Sequence, residues 1–294
     1  MTGHALRPLP RLNLSAIPVG MTEDGDLWHV GVAGTHVLIV GATGSGKGSV
    51  QSAILGGLAP GVAARLVEVW LCDPKGMELA PWAPLAARYA RPTIDRETGE
   101  PTFEPLVALL EDAARLLVAR SDARFEAGER RHTPTPGDPL VAVVLDELAF
   151  LTAYIADDSK ERWKSRARRA ISVLLSQGRA PGMAVVGNLQ DPRKEVLPQR
   201  DLFPTRICLR LPDHALVDRV LTDGAHDRGA RAEDIPDHLP GVGYVLLDGQ
   251  RQPTRVRASW WSDDDIARTV ERYTRRPLPA SVVRAGDVLE GVAA

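Results

Sequence analysis

The feature that most constrains the fold is the segment HVLIVGATGSGKGSVQSAIL, residues 36–55. Residues 36–40 form a short apolar, β-branched run, which predicts a buried strand. From Ser49 to Leu58 apolar side chains recur at helical spacing and share one stripe: Val50, Ala53, Ile54 and Leu58. Glycines separate the two elements. The segment therefore predicts a strand, a tight loop and a helix in direct succession.

The loop in this segment has the spacing of a phosphate-binding loop, Gly41-x-x-x-x-Gly46-Lys47. Its glycines allow successive backbone N–H groups to converge on a β-phosphate, and the helix adds its positive end. The Lys47 ammonium can reach the β- and γ-phosphates. We expect these residues to bind ATP: Gly41, Ala42, Thr43, Gly44, Ser45, Gly46, Lys47, Gly48 and Ser49. The alternative is a glycine-rich turn that only closes a strand–helix corner.

Gly48 departs from the usual pattern, which has Ser or Thr at this position. The hydroxyl that normally binds Mg²⁺ is therefore missing. Ser49 lies one residue further round the helix, and we expect it to supply the metal ligand. The alternative is that a water molecule occupies this ligand position on Mg²⁺ and that Ser49 is an ordinary residue of the first helical turn.

Apolar strands and amphipathic helices alternate along most of the chain. Strand patterns occur in ARLVEVWLC, LVAVVL, MAVVGNLQ and TRICLRL, and a long helical pattern spans residues 103–125. Hairpins are predicted over residues 17–32 and around Asp248-Gly249, and Ser262 with Asp265 caps a last helix. Alternation of this kind predicts an α/β fold with a mostly parallel sheet and helices on both faces. We divide the chain into an N-terminal arm and hairpin (1–35), an ATPase domain (36–275) and a flexible tail (276–294).

Polar side chains follow two of the predicted strands. Asp146 and Glu147 directly follow LVAVVL, and Asn188 and Gln190 lie at the end of MAVVGNLQ. Because ligands bind at the carboxyl ends of parallel strands, these groups should meet the glycine loop. We expect Asp146 to hold Mg²⁺, Glu147 to take a proton from an attacking water, and Gln190 to sense the γ-phosphate. A solvated strand end is the alternative for the two carboxylates.

Three groups of basic residues are candidates for partner contacts. Arg206 precedes a predicted strand, where it could act in trans on a neighbouring subunit's site; an ordinary surface ion pair is the alternative. Arg193 and Lys194 lie in a loop that could contact a nucleic-acid backbone. The helix KERWKSRARRA carries cations on several faces, which is also typical of a solvated helix.

Composition sets outer limits on function. The formal net charge is −2 over 294 residues, so nucleic-acid binding would need a local basic surface. No apolar run approaches the roughly 20 residues needed to span a bilayer. The first 20 residues have no apolar stretch long enough for a signal peptide. The two cysteines lie far apart in apolar runs, which is typical of a reducing cytoplasm. We therefore expect a cytoplasmic protein that reaches a membrane only through a membrane-associated partner.

Taken in order, the motifs resemble the motor domain of FtsK/SpoIIIE-type DNA translocases. The matching stretches are HVLIVGATGSGKGS, LCDPKGMEL, VVLDELAFL, GRAPGMAVVGNLQDP, PTRICLRL and GVGYVLLDG. The Lys47-Gly48-Ser49 variant looks most like the Tra proteins of actinobacterial conjugative plasmids and integrative elements. The resemblance implies a RecA-like ATPase core, ATP and Mg²⁺ as cofactors, a homo-hexameric ring with double-stranded DNA in its channel, and Arg206 as the trans-acting arginine.

The sequence also departs from that family. The usual upstream membrane segments and downstream winged helix are not visible, which puts sequence-specific DNA recognition in doubt. The family's TQRP reads NLQDP here, so Arg193 would have to replace the arginine beside the sensor Gln190.

Three functions remain open. The first is an ATP-driven double-stranded DNA translocase acting in conjugative transfer. The second is an FtsK-like ATPase driving type VII protein secretion. The third is a nucleotide-gated scaffold that does not hydrolyse ATP, which weak Mg²⁺ binding at Gly48 would favour.

Overall fold

The computed structural model describes residues 12–155, 162–193 and 196–274. Its strands are β1 (Ile17–Thr22), β2 (Leu27–Val30), β3 (Val37–Val40), β4 (Val67–Cys72), β5 (Arg88–Ala90), β6 (Thr93–Ile94), β7 (Pro101–Thr102), β8 (Leu140–Leu145), β9 (Met183–Leu189), β10 (Thr205–Leu209), β11 (Val242–Leu246) and β12 (Thr254–Ala258). Its α-helices are α1 (Lys47–Ala63), α2 (Glu104–Ala127), α3 (Trp163–Gln177), α4 (His214–Val220) and α5 (Asp263–Thr274). No helix in these described ranges is both long and apolar enough to span a bilayer.

Ten strands form one sheet in the order β2-β1-β12-β11-β10-β3-β9-β8-β4-β5. The strands from β10 to β5 in this order pair in parallel. The strands from β2 to β10 pair antiparallel. The glycine loop follows β3, inside the parallel part and next to β9. The carboxyl ends of β3, β8 and β9 therefore meet at one edge, as the predicted α/β fold requires.

Helices cover both faces of the sheet, which confirms the predicted layers. Along β3, Val37 and Ile39 belong to one buried cluster, and Leu38 and Val40 to the other, because successive side chains of a strand point to opposite faces. The first cluster contains the apolar sides of α1 and α5, and the second those of α2, α3 and α4. Burial on both faces explains why the central strands read as continuous apolar runs.

Both predicted hairpins are present, and each adds to the main sheet. β1 pairs antiparallel with β12, so the boundary expected at residue 35 does not separate the first hairpin from the sheet. The second hairpin joins β11 to β12 with Gly249 at a φ of 78°. Residues 1–11 of the predicted arm and the predicted tail, 276–294, lie outside the described residues.

Helix ends agree with local chemistry. Ser262 and Asp265 bond reciprocally, since Asp265 N donates to Ser262 Oγ at 3.2 Å and Ser262 N donates to Asp265 Oδ2 at 3.0 Å. This is the predicted capping box of α5. The helix expected over 49–58 is longer than predicted: α1 begins at Lys47 and continues past Pro60, which lies near its end.

Candidate active site

The glycine loop joins β3 to α1 and depends on residues without side chains. Gly44 and Gly46 have φ of 74° and 96°, in the region that L-residues rarely adopt. A Cβ at Gly46 would lie 2.3 Å from Gly241 N, so this position also needs glycine for space. Gly241 N donates to Ser45 O at 2.8 Å, which fastens the loop to the segment before β11. No side chain caps the start of α1, whose residues are all described, and its N–H groups can face an anion.

Lys47 is the first residue of α1, and its side chain folds back over the loop. Its Nζ donates to Gly41 O at 2.6 Å and to Ala42 O at 3.1 Å. Burial lowers the pKa of Lys47, and the nearby Glu147 carboxylate opposes that shift. The ammonium therefore lies where a phosphate oxygen could replace the two carbonyl oxygens as its partner.

The carboxylates that follow β8 are both buried beside the loop. Asp146 is 4% and Glu147 5% exposed, and burial raises the pKa of each. Lys75 Nζ lies 3.6 Å from Asp146 Oδ2 and opposes the shift at Asp146. Ala149 N donates to Glu147 Oε1 at 3.3 Å and thereby orients the second carboxylate.

Gln190, just after β9, reaches the loop from the neighbouring strand. Thr43 Oγ1 donates to Gln190 Oε1 at 3.3 Å. Asn188 lies two residues earlier and is buried. The structure thus brings Lys47, Asp146, Glu147 and Gln190 to one edge of the sheet, as their positions after parallel strands predict.

Several buried polar atoms around this edge have no hydrogen-bond partner within the described residues. They are Ser45 Oγ, Gln51 Nε2, Asp146 Oδ2, Glu147 Oε2 and Asn188 Oδ1. A buried polar atom left unpaired costs free energy, and native structures contain few of them. Four of these five residues, all except Glu147, line one cavity, which indicates a site arranged for a polar ligand.

A magnesium ion fits this donor set. Asp146 offers a buried oxygen, Oδ2, that has an ion-pair contact with Lys75 but no hydrogen-bond partner, and Ser49 lies in the first turn of α1 and lines the same cavity of about 520 Å³. Among the described residues, no group of three or more His, Cys, Asp and Glu side chains could hold a metal alone. Mg²⁺ commonly binds through one or two carboxylates with substrate phosphates completing its shell, and it would then neutralise charge on those phosphates.

The loop after β4 contributes residues to which sequence reasoning gave no role. Asp73 is fully buried and accepts hydrogen bonds from Gly76 N, Leu79 N and the Tyr89 hydroxyl. These bonds hold the loop so that Lys75 and Glu78 line the cavity. Glu78 Oε2 would lie 3.7 Å from a Cβ at Gly48. The only indication of these residues in the sequence is the DPKGMEL stretch, which contains Asp73, Lys75 and Glu78.

Arg206 lies elsewhere, and its predicted placement needs correction. It is the second residue of β10 rather than a residue before the strand. Its partner in the parallel ladder is Leu38, so it lies near the edge of the sheet opposite the glycine loop. Its Nε donates to Phe203 O and its Nη1 to Leu221 O, both at 2.9 Å. Burial lowers the pKa of the guanidinium, which is only 18% exposed.

The other basic candidates make local contacts. Arg193 bonds to Asp191, with Nε 2.7 Å from Oδ2, while its side chain stays largely exposed. Lys194 lies outside the described residues. In the basic helix, Arg166 bonds to Glu104 and Glu111 of α2, so it ties two helices together rather than facing a partner.

The chain is similar in sequence to known proteins. A model of the FtsK/SpoIIIE family matches residues 15–233. DNA translocase SftA of Bacillus subtilis is 28% identical over 269 residues, which cover 87% of this chain and 26% of SftA. Transfer protein TraSA of Streptomyces ambofaciens is 30% identical over 258 residues, covering 82% of this chain and 59% of TraSA. The chain therefore spans less than two thirds of either relative.

The fold is shared with solved structures. The pCW3 conjugation coupling protein TcpA, in a structure with ATPγS, aligns with a TM-score of 0.71 at 22% identity, covering 88% of this chain and 70% of TcpA. The cytoplasmic domain of the Thermomonospora curvata type VII secretion ATPase EccC aligns with a TM-score of 0.68 at 20% identity. Both likenesses concern the RecA-like fold. The match over residues 15–233, with the loop, strand order and acidic strand end described above, shows that the chain belongs to the FtsK/SpoIIIE family.

Proposed function

We propose that this protein is an ATPase that moves double-stranded DNA during conjugative transfer. The observation that carries the proposal is the convergence of Lys47, Asp146, Glu147 and Gln190 at one edge of the sheet. Nucleotide hydrolysis needs each of these chemistries in one place. The proposed coupling of hydrolysis to DNA movement is supported by the names of two relatives, a DNA translocase and a transfer protein.

Each group has a distinct role in this proposal. The loop N–H groups and Lys47 bind the phosphates of ATP. Asp146 and Ser49 hold Mg²⁺, Glu147 takes a proton from the attacking water, and Gln190 senses the γ-phosphate. The raised pKa of Glu147, caused by its burial, favours proton uptake.

The assembly proposed is a homo-hexameric ring with DNA in its channel. Arg206 would then complete a neighbour's site in trans, and Arg193 and Lys194 would contact the DNA backbone. Arg206 suits this role because it lies far from its own subunit's glycine loop. A membrane-associated partner would recruit the protein from the cytoplasm to the inner face of the cell membrane.

Protein secretion is the second candidate. The type VII ATPase EccC covers 95% of this chain, yet at 20% identity that likeness concerns the fold alone. If a single domain of this kind acts on secreted helical proteins, duplex DNA should not change its rate of ATP hydrolysis. The same assay therefore separates the two candidates.

The test is ATP hydrolysis with and without duplex DNA, with Lys47→Ala as the blank. We expect strong stimulation by duplex DNA in the wild type and background rates in the variant. Glu147→Gln should retain ATP binding and lose hydrolysis, which separates a chemical defect from a binding defect. Hydrolysis indifferent to DNA would favour secretion, and ATP binding without hydrolysis would favour the scaffold.

A further inference from the structure

The cavity at the active site extends beyond the groups that would hold phosphates. Its lining includes Pro240, Trp260, Trp261 and Asp263 in addition to the glycine loop. Asp146 and Gln190 follow β8 and β9, on one side of β3 in the sheet. Trp260 follows β12, on the other side of β3. A nucleoside triphosphate with its γ-phosphate near Glu147 would therefore point its base towards the tryptophans.

The two tryptophans have opposite environments. Trp261 packs against α1, where a Cβ added to Gly56 would lie 2.1 Å from its Cη2, and its ring centroid is 5.7 Å from that of Trp82. Trp260 is 75% exposed. The packing of Trp261 fixes the backbone of this segment, so the exposed indole of Trp260 is held at the cavity rather than on a free chain end.

We propose that Trp260 stacks on the purine base of the bound nucleotide and forms the base subsite of this active site. The inference rests on the proposed function only in requiring ATP binding. An indole face is suited to a purine because stacking buries two flat apolar surfaces and needs no hydrogen-bond pattern. The subsite should therefore favour purines over pyrimidines and discriminate little between ATP and GTP.

The test compares a ligand with a base and a ligand without one. Binding of ATPγS and of inorganic tripolyphosphate, each with Mg²⁺, is measured by calorimetry on the full chain. We expect Trp260→Ala to weaken ATPγS binding about tenfold and to leave tripolyphosphate binding unchanged. Trp260→Phe keeps a stacking face and should stay within about threefold of the wild type.

Phe125 provides a matched control, because it is an 85% exposed aromatic on α2, on the opposite face of the sheet. Phe125→Ala should bind both ligands like the wild type. Quenching of tryptophan fluorescence by ATPγS, present in the wild type and reduced in Trp260→Phe, would give independent support. Equal loss of both ligands in Trp260→Ala, or no loss of either, would overturn the subsite.

These outcomes are distinguishable from failure of the translocase proposal. Wild-type protein that binds ATPγS through Trp260 but ignores DNA would leave the subsite standing and remove DNA translocation. Wild-type protein that binds tripolyphosphate and ATPγS with equal affinity would remove the base subsite and leave the phosphate site standing. Wild-type protein that binds neither ligand would overturn both proposals.

Discussion

At the scale of single residues, Gly48 is the position where this loop departs from its usual chemistry. A side chain fits there, since the nearest atom to an added Cβ is Glu78 Oε2 at 3.7 Å. We expect Gly48→Ser to lower the Mg²⁺ concentration needed for half-maximal ATP hydrolysis, by about tenfold. A magnesium titration at fixed ATP measures this change.

Ser49 supplies the control for that experiment. If Ser49 replaces the missing hydroxyl, Ser49→Ala should raise the Mg²⁺ requirement in the wild type and have little effect in Gly48→Ser. Identical magnesium curves for the wild type and Ser49→Ala would show that Ser49 is an ordinary helix residue.

His36 makes stability depend on pH. It is buried, Val185 N donates to its Nδ1 at 3.1 Å, and burial, aided by Arg179, lowers its pKa from 6.5 to about 4. The unfolded chain therefore takes up the proton first as pH falls below 6.5. Between pH 7 and pH 5 this residue should lower the free energy of unfolding by about 2 kcal/mol.

The measurement is urea unfolding at both pH values for the wild type and for His36→Asn. Asparagine keeps an acceptor for Val185 N and does not titrate, so the variant should lose less stability at pH 5 than the wild type. Parallel losses in the two proteins would assign the pH dependence to other groups.

At the scale of secondary-structure elements, the contact between α1 and the segment just before α5 depends on a small residue. Gly56 lies on α1 beneath the ring of Trp261, and an added Cβ would require that ring to move. We expect Gly56→Ala to lower the free energy of unfolding by about 1 kcal/mol, because overpacking outweighs the better helix propensity of alanine. Urea unfolding measures the change.

The same substitution elsewhere in α1 is the matched control. Gly48→Ala meets no atom closer than 3.7 Å and should be neutral or stabilising. Equal destabilisation by both variants would mean that the helix, rather than the Trp261 contact, governs the result.

Local patterns in the sequence predict many of these elements but not how all of them associate. Apolar runs and helical spacing identified β3, β8, β9 and α2, because the burial and the hydrophobic periodicity of an element can be recognised from residues close together in the sequence. The pairing of β1 with β12 joins residues more than 200 positions apart in the chain, as in Gly20 with Ala258, and no local pattern records it. The residues of the glycine loop could be predicted because their spacing is a local pattern. Lys75 and Trp260 could not, because tertiary contacts bring them to the site.

At the scale of the whole molecule, a trans-acting arginine predicts complementation between subunits. Arg206→Ala alone and Lys47→Ala alone should each lack ATP hydrolysis. In an equal mixture, about a quarter of the interfaces of a ring would join an intact loop to an intact arginine. Activity in the mixture should therefore exceed that of either variant.

Folding must be checked in that experiment, because Arg206 also bonds to the carbonyls of Phe203 and Leu221. Arg206→Ala should retain the wild-type unfolding temperature within a few degrees, and Phe125→Ala, which leaves both Lys47 and Arg206 intact, should hydrolyse ATP like the wild type. A mixture no more active than its components would place the action of Arg206 within its own subunit.

The hydrogen bond from Gly241 N to Ser45 O has a mechanical consequence. The glycine loop and the turn before β11 form one connected part, with Gly46 pressed against Gly241. Because the two are joined, we expect a phosphate that shifts the loop to shift this turn as well. Ala258 N, at the end of β12, donates to Gly241 O, so the displacement continues along the antiparallel strands. Backbone hydrogen bonds thus connect the loop after β3, through Gly241, to the end of β12, three strands away in the sheet.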